Sequence, residues 1–137
     1  MINFTIQQKG LRSSLKTIIK SEEYFMLGSA SPIYEVVSGQ ILLGKREEFT
    51  NLHQNILLPM VHEAGIEPVL MLVTEVGQYA HFMNIYRYPS LEEYGKRSDD
   101  FMKNKRVSDF FAHMIQCVDG SLKVELALDL LPFPLSL

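Results

Sequence analysis

The chain has 137 residues, 47% of them hydrophobic and 21% charged, which is the size and composition of one soluble globular domain with its own core. A net charge of -3, with no stripe of Lys and Arg among the aromatics, argues against nucleic acid as a partner. Cys117 is the single cysteine, so an intrachain disulfide, a thiolate cluster and a CxxC redox motif are excluded, and no apolar run approaches the roughly 20 residues that span a bilayer.

Residues 1–31 read as an N-terminal extension. Lys9, Arg12, Lys16 and Lys20 precede the first acidic residue, Glu22, among scattered hydroxyl side chains, which is transit-peptide composition. Leu11, Leu15, Ile18 and Ile19 also fall at helical spacing, and a short amphipathic helix is the preferred reading. No continuous apolar core follows a basic start as in a secretory signal. The expected compartment is cytoplasmic, with mitochondrial targeting by residues 1–20 left open. Gly28 to Pro32 is a turn or linker into a domain expected over residues 32–137.

IYEVVSGQI, from Ile33, is β-rich, and Gly44 with the charges after it marks a change to helical periodicity. Phe49, Leu52, Ile56, Leu57 and Met60 recur at three- and four-residue steps, which predicts an amphipathic helix. Pro59 lies inside that pattern and should kink the helix or start a second short one, and Gly65 should end it.

Glu67 to Val76 and Tyr79 to Tyr88 read as two strands of a hairpin turning at Gly77 and Gln78, with positive φ at the glycine. In the second strand one face carries Tyr79, His81, Met83, Ile85 and Arg87, and the other Ala80, Phe82, Asn84, Tyr86 and Tyr88. Both faces are substantially apolar. Helices must cover one, and a second copy of the sheet is the simplest cover for the other, which predicts a homodimer.

Ser90 and Glu93 form a capping box at the start of the next helix. A charged interruption, Asp99 to Arg106, separates it from a helix through Val107, Phe110, Phe111, Met114, Ile115 and Val118 that ends at Asp119-Gly120. Cys117, near the end of that apolar helix, is expected to be buried and inert. A last strand, SLKVELALDLL, alternates leucine and valine with charge, and an apolar tail, PFPLSL, follows. The order is strand, helix, hairpin, helix, strand, the α+β, ferredoxin-like βαββαβ arrangement.

These segments carry a family resemblance. IYEVVSGQILLGKREEF, PMVHEAG and IYRYPSLEEY look like the first strand and helix start, the helix end and the strand exit of the NIPSNAP family, which the chain resembles from Ile33 to about Leu135. The resemblance implies a dimeric α/β barrel. It implies no reaction, because the family has none agreed. The family usually has Trp where Tyr86 stands, often His at Asn84 and Arg at Tyr94, so its pocket chemistry does not transfer residue by residue. Wider relatives of that barrel include cofactor-free antibiotic-biosynthesis monooxygenases and haem-degrading enzymes.

His53, His62, His81 and His113 show no metal-ligand spacing, and no phosphate loop or nucleophile triad is recognisable. No metal or cofactor is expected. Asn84, Tyr86 and Tyr88 share a strand face and, with Tyr34 or Glu35 from the neighbouring strand, could floor a small-molecule cleft. An amide between Phe82 and Tyr86 must find hydrogen-bond partners. The competing reading is a tyrosine-filled core. Two functions follow: a homodimeric module binding a small apolar ligand or a protein, or an oxygenase or isomerase acting on an aromatic or polycyclic substrate. In the second, His81, Asn84 and Tyr86 would position substrate or oxygen, and haem on His81 enters only there.

Overall fold

Ile33, Glu35, Val37 and Ile41 are buried while Tyr34, Val36 and Gln40 are half-buried, so alternation places one face of strand β1 (Ile33–Ile41) under cover. The computed structural model describes residues 31–130, and the expected N-terminal helix and the PFPLSL tail lie outside the described residues. After β1 come helix α1 (Arg46–Leu52), a π-helical turn (His53–Leu57), α2 (Leu58–Glu63), β2 (Glu67–Val73), β3 (His81–Tyr88), α3 (Leu91–Met102), α4 (Val107–Cys117) and β4 (Val118–Ala127). The sheet order is β2-β3-β1-β4 with every neighbouring pair antiparallel, which is the ferredoxin-like topology.

Pro59 shapes the first helical segment. It has no N–H to give the carbonyl four residues back, and the chain responds with a wider turn in which the Leu58 N–H bonds the His53 carbonyl, five residues earlier. Gly65, at φ 72°, then ends α2 with the paired bonds of a Schellman motif, Gly65 N–H to the His62 carbonyl and Ile66 N–H to the Val61 carbonyl.

The described helices all lie on one face of the sheet. Phe49, Leu57 and Met60 from the first helical segment and Phe110, Phe111 and Met114 from α4 join Val37, Phe82 and Tyr88 from the sheet in a single core. Cys117 is a buried free thiol, and burial pushes its pKa up, as the apolar helix end predicted. No helix among the described residues is long and apolar enough to cross a membrane.

Several boundaries differ from the sequence expectation, each for a local reason. The hairpin turn is a loop over residues 74–80 rather than Gly77-Gln78 alone. Gly77 has φ 110° as expected, but Ala80 also adopts φ 62°, held by its carbonyl accepting from the Ile41 N–H. Gln40 clamps the loop further, donating to the Tyr79 carbonyl at 2.7 Å and accepting from the Gln78 side chain at 3.0 Å. Helix α3 runs through Asp99 and Asp100 to Met102, so the break is narrower than the charge pattern implied. Strand β4 starts at Val118, directly after α4, because Val118 pairs with Ile41, and it ends at Ala127, leaving Leu128 and Leu130 exposed. Half of the capping box forms: the Ser90 hydroxyl accepts from the Glu93 N–H at 3.1 Å, while the Glu93 carboxylate turns to Arg97 at 2.8 Å.

Candidate functional site

Strand register assembles a polar cluster in the middle of the covered face. Glu35 on β1 lies directly opposite Tyr86 on β3, Val37 opposite Asn84, and Ile33 opposite Tyr88. Residues two apart on a strand share a face, so the side chains of Glu35, Asn84, Tyr86 and Tyr88 rise together towards the helices. They form one wall of a cavity of about 50 Å³. Ser98 of α3 joins them, and the rest of the lining is apolar, including Leu57, Val61, Phe101, Phe110, Phe111 and Met114.

Burial is nearly complete: Glu35 is 5% exposed, Asn84 3% and Tyr88 1%. Low dielectric and a neighbouring carboxylate set the protonation of the phenols. Burial, and after it the Glu35 charge, push both Tyr86 and Tyr88 well above the ordinary phenol range, so both keep their protons and can donate. Hydrogen bonds from Asn84 to Tyr86 and from Ser98 to Tyr88 act in the opposite direction and are outweighed.

Behind the cluster stands His53, in the π-helical turn and 5% exposed. Its Nδ1 is 2.9 Å from the Phe49 carbonyl oxygen, which can only accept, so Nδ1 carries the proton and donates. Its Nε2 is therefore an acceptor. The amide nitrogen of Asn84 lies 2.9 Å away and donates to it, which fixes the amide orientation and turns Asn84 Oδ1 away from the imidazole. Burial lowers the His53 pKa from 6.5 to about 4, against the smaller opposing effect of the Phe49 bond, so the ring is neutral near pH 7.

Four of the six residues singled out in the sequence, Glu35, Asn84, Tyr86 and Tyr88, meet in this cavity. Tyr34 and His81 lie on the opposite face of the sheet. There Tyr34 faces Arg87 across the β1-β3 pair and hydrogen-bonds to it, and Arg87 reaches Glu67 at 3.4 Å. His81 pairs with Gln40 at the end of the strand, well away from Asn84's face. Sequence reasoning missed His53 and Ser98. Both carry the same signal, a polar residue on an apolar helical stripe: His53 comes four after Phe49 and Ser98 four after Tyr94. Among the described residues, no group of three or more His, Cys, Asp and Glu could hold a metal ion.

The NIPSNAP family model matches residues 34–120, from β1 to the start of β4. The chain belongs to the NIPSNAP family. Solved structures with this fold include a NIPSNAP family protein from Agrobacterium tumefaciens, with TM-score 0.66 and 20% identity over 77% of this chain and 99% of that one. An uncharacterised NIPSNAP-like domain protein from Burkholderia xenovorans gives TM-score 0.67 at 13% identity, covering 77% and 90%. A protein named as a candidate antibiotic biosynthesis monooxygenase, from Caulobacter crescentus, gives TM-score 0.61 at 14% identity, covering 80% and 99%. At these identities the likeness is one of fold. Among curated proteins there is no match. The NIPSNAP domain thus has a shared architecture and an unassigned activity, and its own side chains have to carry any functional reading.

Proposed function

We propose that this NIPSNAP domain binds a small molecule in the cleft between sheet and helices, as one half of a homodimer joined through the open sheet face. The observation that carries the reading is the convergence of Glu35, Asn84, Tyr86, Tyr88 and Ser98 on one wall of an otherwise apolar cavity. Apolar walls with a few convergent polar groups are the usual make-up of a ligand site. Replacing buried polar groups together with their partners by well-packed apolar side chains is often neutral or stabilising, so a polar cluster kept inside an apolar core supports a use beyond packing.

Size limits what enters. A dry cavity that takes benzene has about 150 Å³, and the space here is about 50 Å³. An aromatic or polycyclic oxygenase substrate therefore needs the helices to move, and the Caulobacter crescentus neighbour lends that reading fold-level analogy only. A guest of a few heavy atoms fits as the cleft stands.

The open face supports the dimer. Val36, Ile85 and Leu70 form a row across β1, β3 and β2, with Met83 and Leu72 beside them, and Leu70 and Leu72 are each 50% exposed. An apolar sheet face of this kind is normally covered. The single buried thiol suits a reducing compartment such as the cytoplasm.

The test is a thermal-shift screen of the purified protein against small polar fragments, because binding to the native state alone raises the midpoint by mass action. A saturable rise that Asn84→Leu abolishes is expected. A screen in which no fragment shifts the midpoint at millimolar concentration would sink the binding role.

A further inference from the structure

We infer that residues 131–137 of this same chain dock on the half-covered end of β4, on the helix side of the sheet, against Leu126, Leu128, Phe101 and Val107. The lengths of two elements make the site. Helix α4 leads straight into β4, so it packs back along the strand it precedes. Its 11 residues reach about 16 Å, while the 10 residues of β4 reach about 33 Å. The helix therefore shelters the first half of the strand and stops short of the second. Val124 lies opposite Val37 and Leu126 opposite Glu35, so both rise on the face where those buried residues point. Yet Val124 and Leu126 are only partly buried, and Leu128, the next of that parity, is 42% exposed. Phe101 and Val107 flank the turn at the start of α4, which lies at the same end of the domain, and they too are only partly buried.

The chain that follows has the composition to cover them. Residues 131–137 read LPFPLSL, with Leu131, Phe133, Leu135 and Leu137 apolar and no charged side chain. Pro132 and Pro134 lack the N–H that a further ladder residue would donate, so the segment has to leave the line of β4. The same prolines give Phe133 little backbone freedom to lose, which lowers the cost of docking its ring. Seven residues span up to about 23 Å, enough to turn back over the roughly 17 Å of strand that α4 does not reach. Attachment to the same chain also keeps the segment at high effective concentration beside the site, an advantage that no free partner has. Phe101 lines the cavity as well, so the docked segment backs the cavity's outer wall.

The chain contains no tryptophan, so Phe133→Trp in the full-length protein supplies a single reporter. Excited where tyrosine does not absorb, it should emit to the blue of N-acetyltryptophanamide and be quenched by acrylamide several-fold less. Adding Leu128→Asp, an exposed position that can carry a charge without loss of core packing, should return both readings to those of the free amide with the far-UV spectrum unchanged. Free-amide emission and quenching in Phe133→Trp alone would overturn the docking. A blue-shifted emission that Leu128→Asp leaves unmoved would put the segment on another surface and overturn the site. Incubating the Phe133→Trp protein with an excess of the Leu128→Asp protein separates the same chain from a second copy. The emission should not move, and a shift towards the free amide would make a second copy's β4 the surface and overturn same-chain docking.

Discussion

The Nε2 atom of His53 lies 2.9 Å from the amide nitrogen of Asn84, joining a π-helical turn to the central strand of the sheet across 31 residues of sequence. Both side chains are buried, so each is the other's replacement for water. Asn84→Leu should therefore strand the His53 lone pair and cost about 1–3 kcal/mol, and His53→Leu should strand the amide at similar cost. The double variant removes both polar groups and should cost clearly less than the sum. Urea denaturation of the four proteins measures the coupling, and strictly additive losses would show that the bond contributes nothing.

The same histidine makes stability depend on pH. Its folded pKa, about 4, lies below the ordinary 6.5, so between those values the unfolded chain binds a proton that the folded chain does not. The NIPSNAP domain should thus lose stability as pH falls from 7 through that window, by up to roughly 3 kcal/mol, with no further loss from this group below pH 4. Phe49, Phe82 and Phe110 pack around the ring and do not titrate, so the dependence belongs to His53 itself. His53→Gln should flatten the slope. A slope that persists in the variant would assign it to other groups.

Gly39 and Phe82 make a second dependent pair. They face each other across β1 and β3, and a Cβ on Gly39 would sit 2.9 Å from Phe82 Cε1 and 3.1 Å from Leu122 Cδ2. Phe82 is fully buried against Phe49, with ring centroids 4.7 Å apart, and has little room to retreat. Gly39→Ala should cost about 1–3 kcal/mol by overpacking. Adding Phe82→Leu should recover part of that loss, and thermal denaturation that shows no recovery would place the strain elsewhere.

How far the sequence foretold this depends on whether the deciding interaction is local or distant. Alternation along His81–Tyr88 marked Asn84, Tyr86 and Tyr88 as neighbours on one face because period-two geometry is a property of the strand alone. Glu35 joined them from an equally regular β1, and the same alternation sends Tyr34 and His81 to the other face. His53 was not legible. Its place behind Asn84 depends on packing between elements 31 residues apart, and a histidine on an apolar stripe has the same appearance in sequence whether it bonds a strand amide or fills space. The 74–80 loop was misread for a similar reason: Ala80 adopts a left-handed backbone to meet Ile41, a partner its own neighbours do not announce. Glu93 fitted a capping box on spacing, yet Arg97, one turn on, offers its carboxylate a charged partner instead.

The proposed dimer gives a prediction at Ile85. Its side chain lies between Val36 and Leu70 in the row across the open face, and it is only half-buried in the single chain. A charge placed there can remain in water in a monomer. In a sheet-to-sheet dimer it would be buried near the middle of an interface of about 800 Å² per partner, between the apolar side chains of Val36 and Leu70. Light scattering of the wild-type protein at micromolar concentration should give twice the chain mass of 15.7 kDa, and Ile85→Glu should give the single mass with its far-UV spectrum unchanged. Lys105→Glu, exposed in the connection between α3 and α4 on the helix side of the sheet, should remain dimeric and shows whether added negative charge alone is enough to dissociate the pair. A wild-type protein of one-chain mass would remove the dimer, and an Ile85→Glu variant that stays dimeric would move the interface off this face.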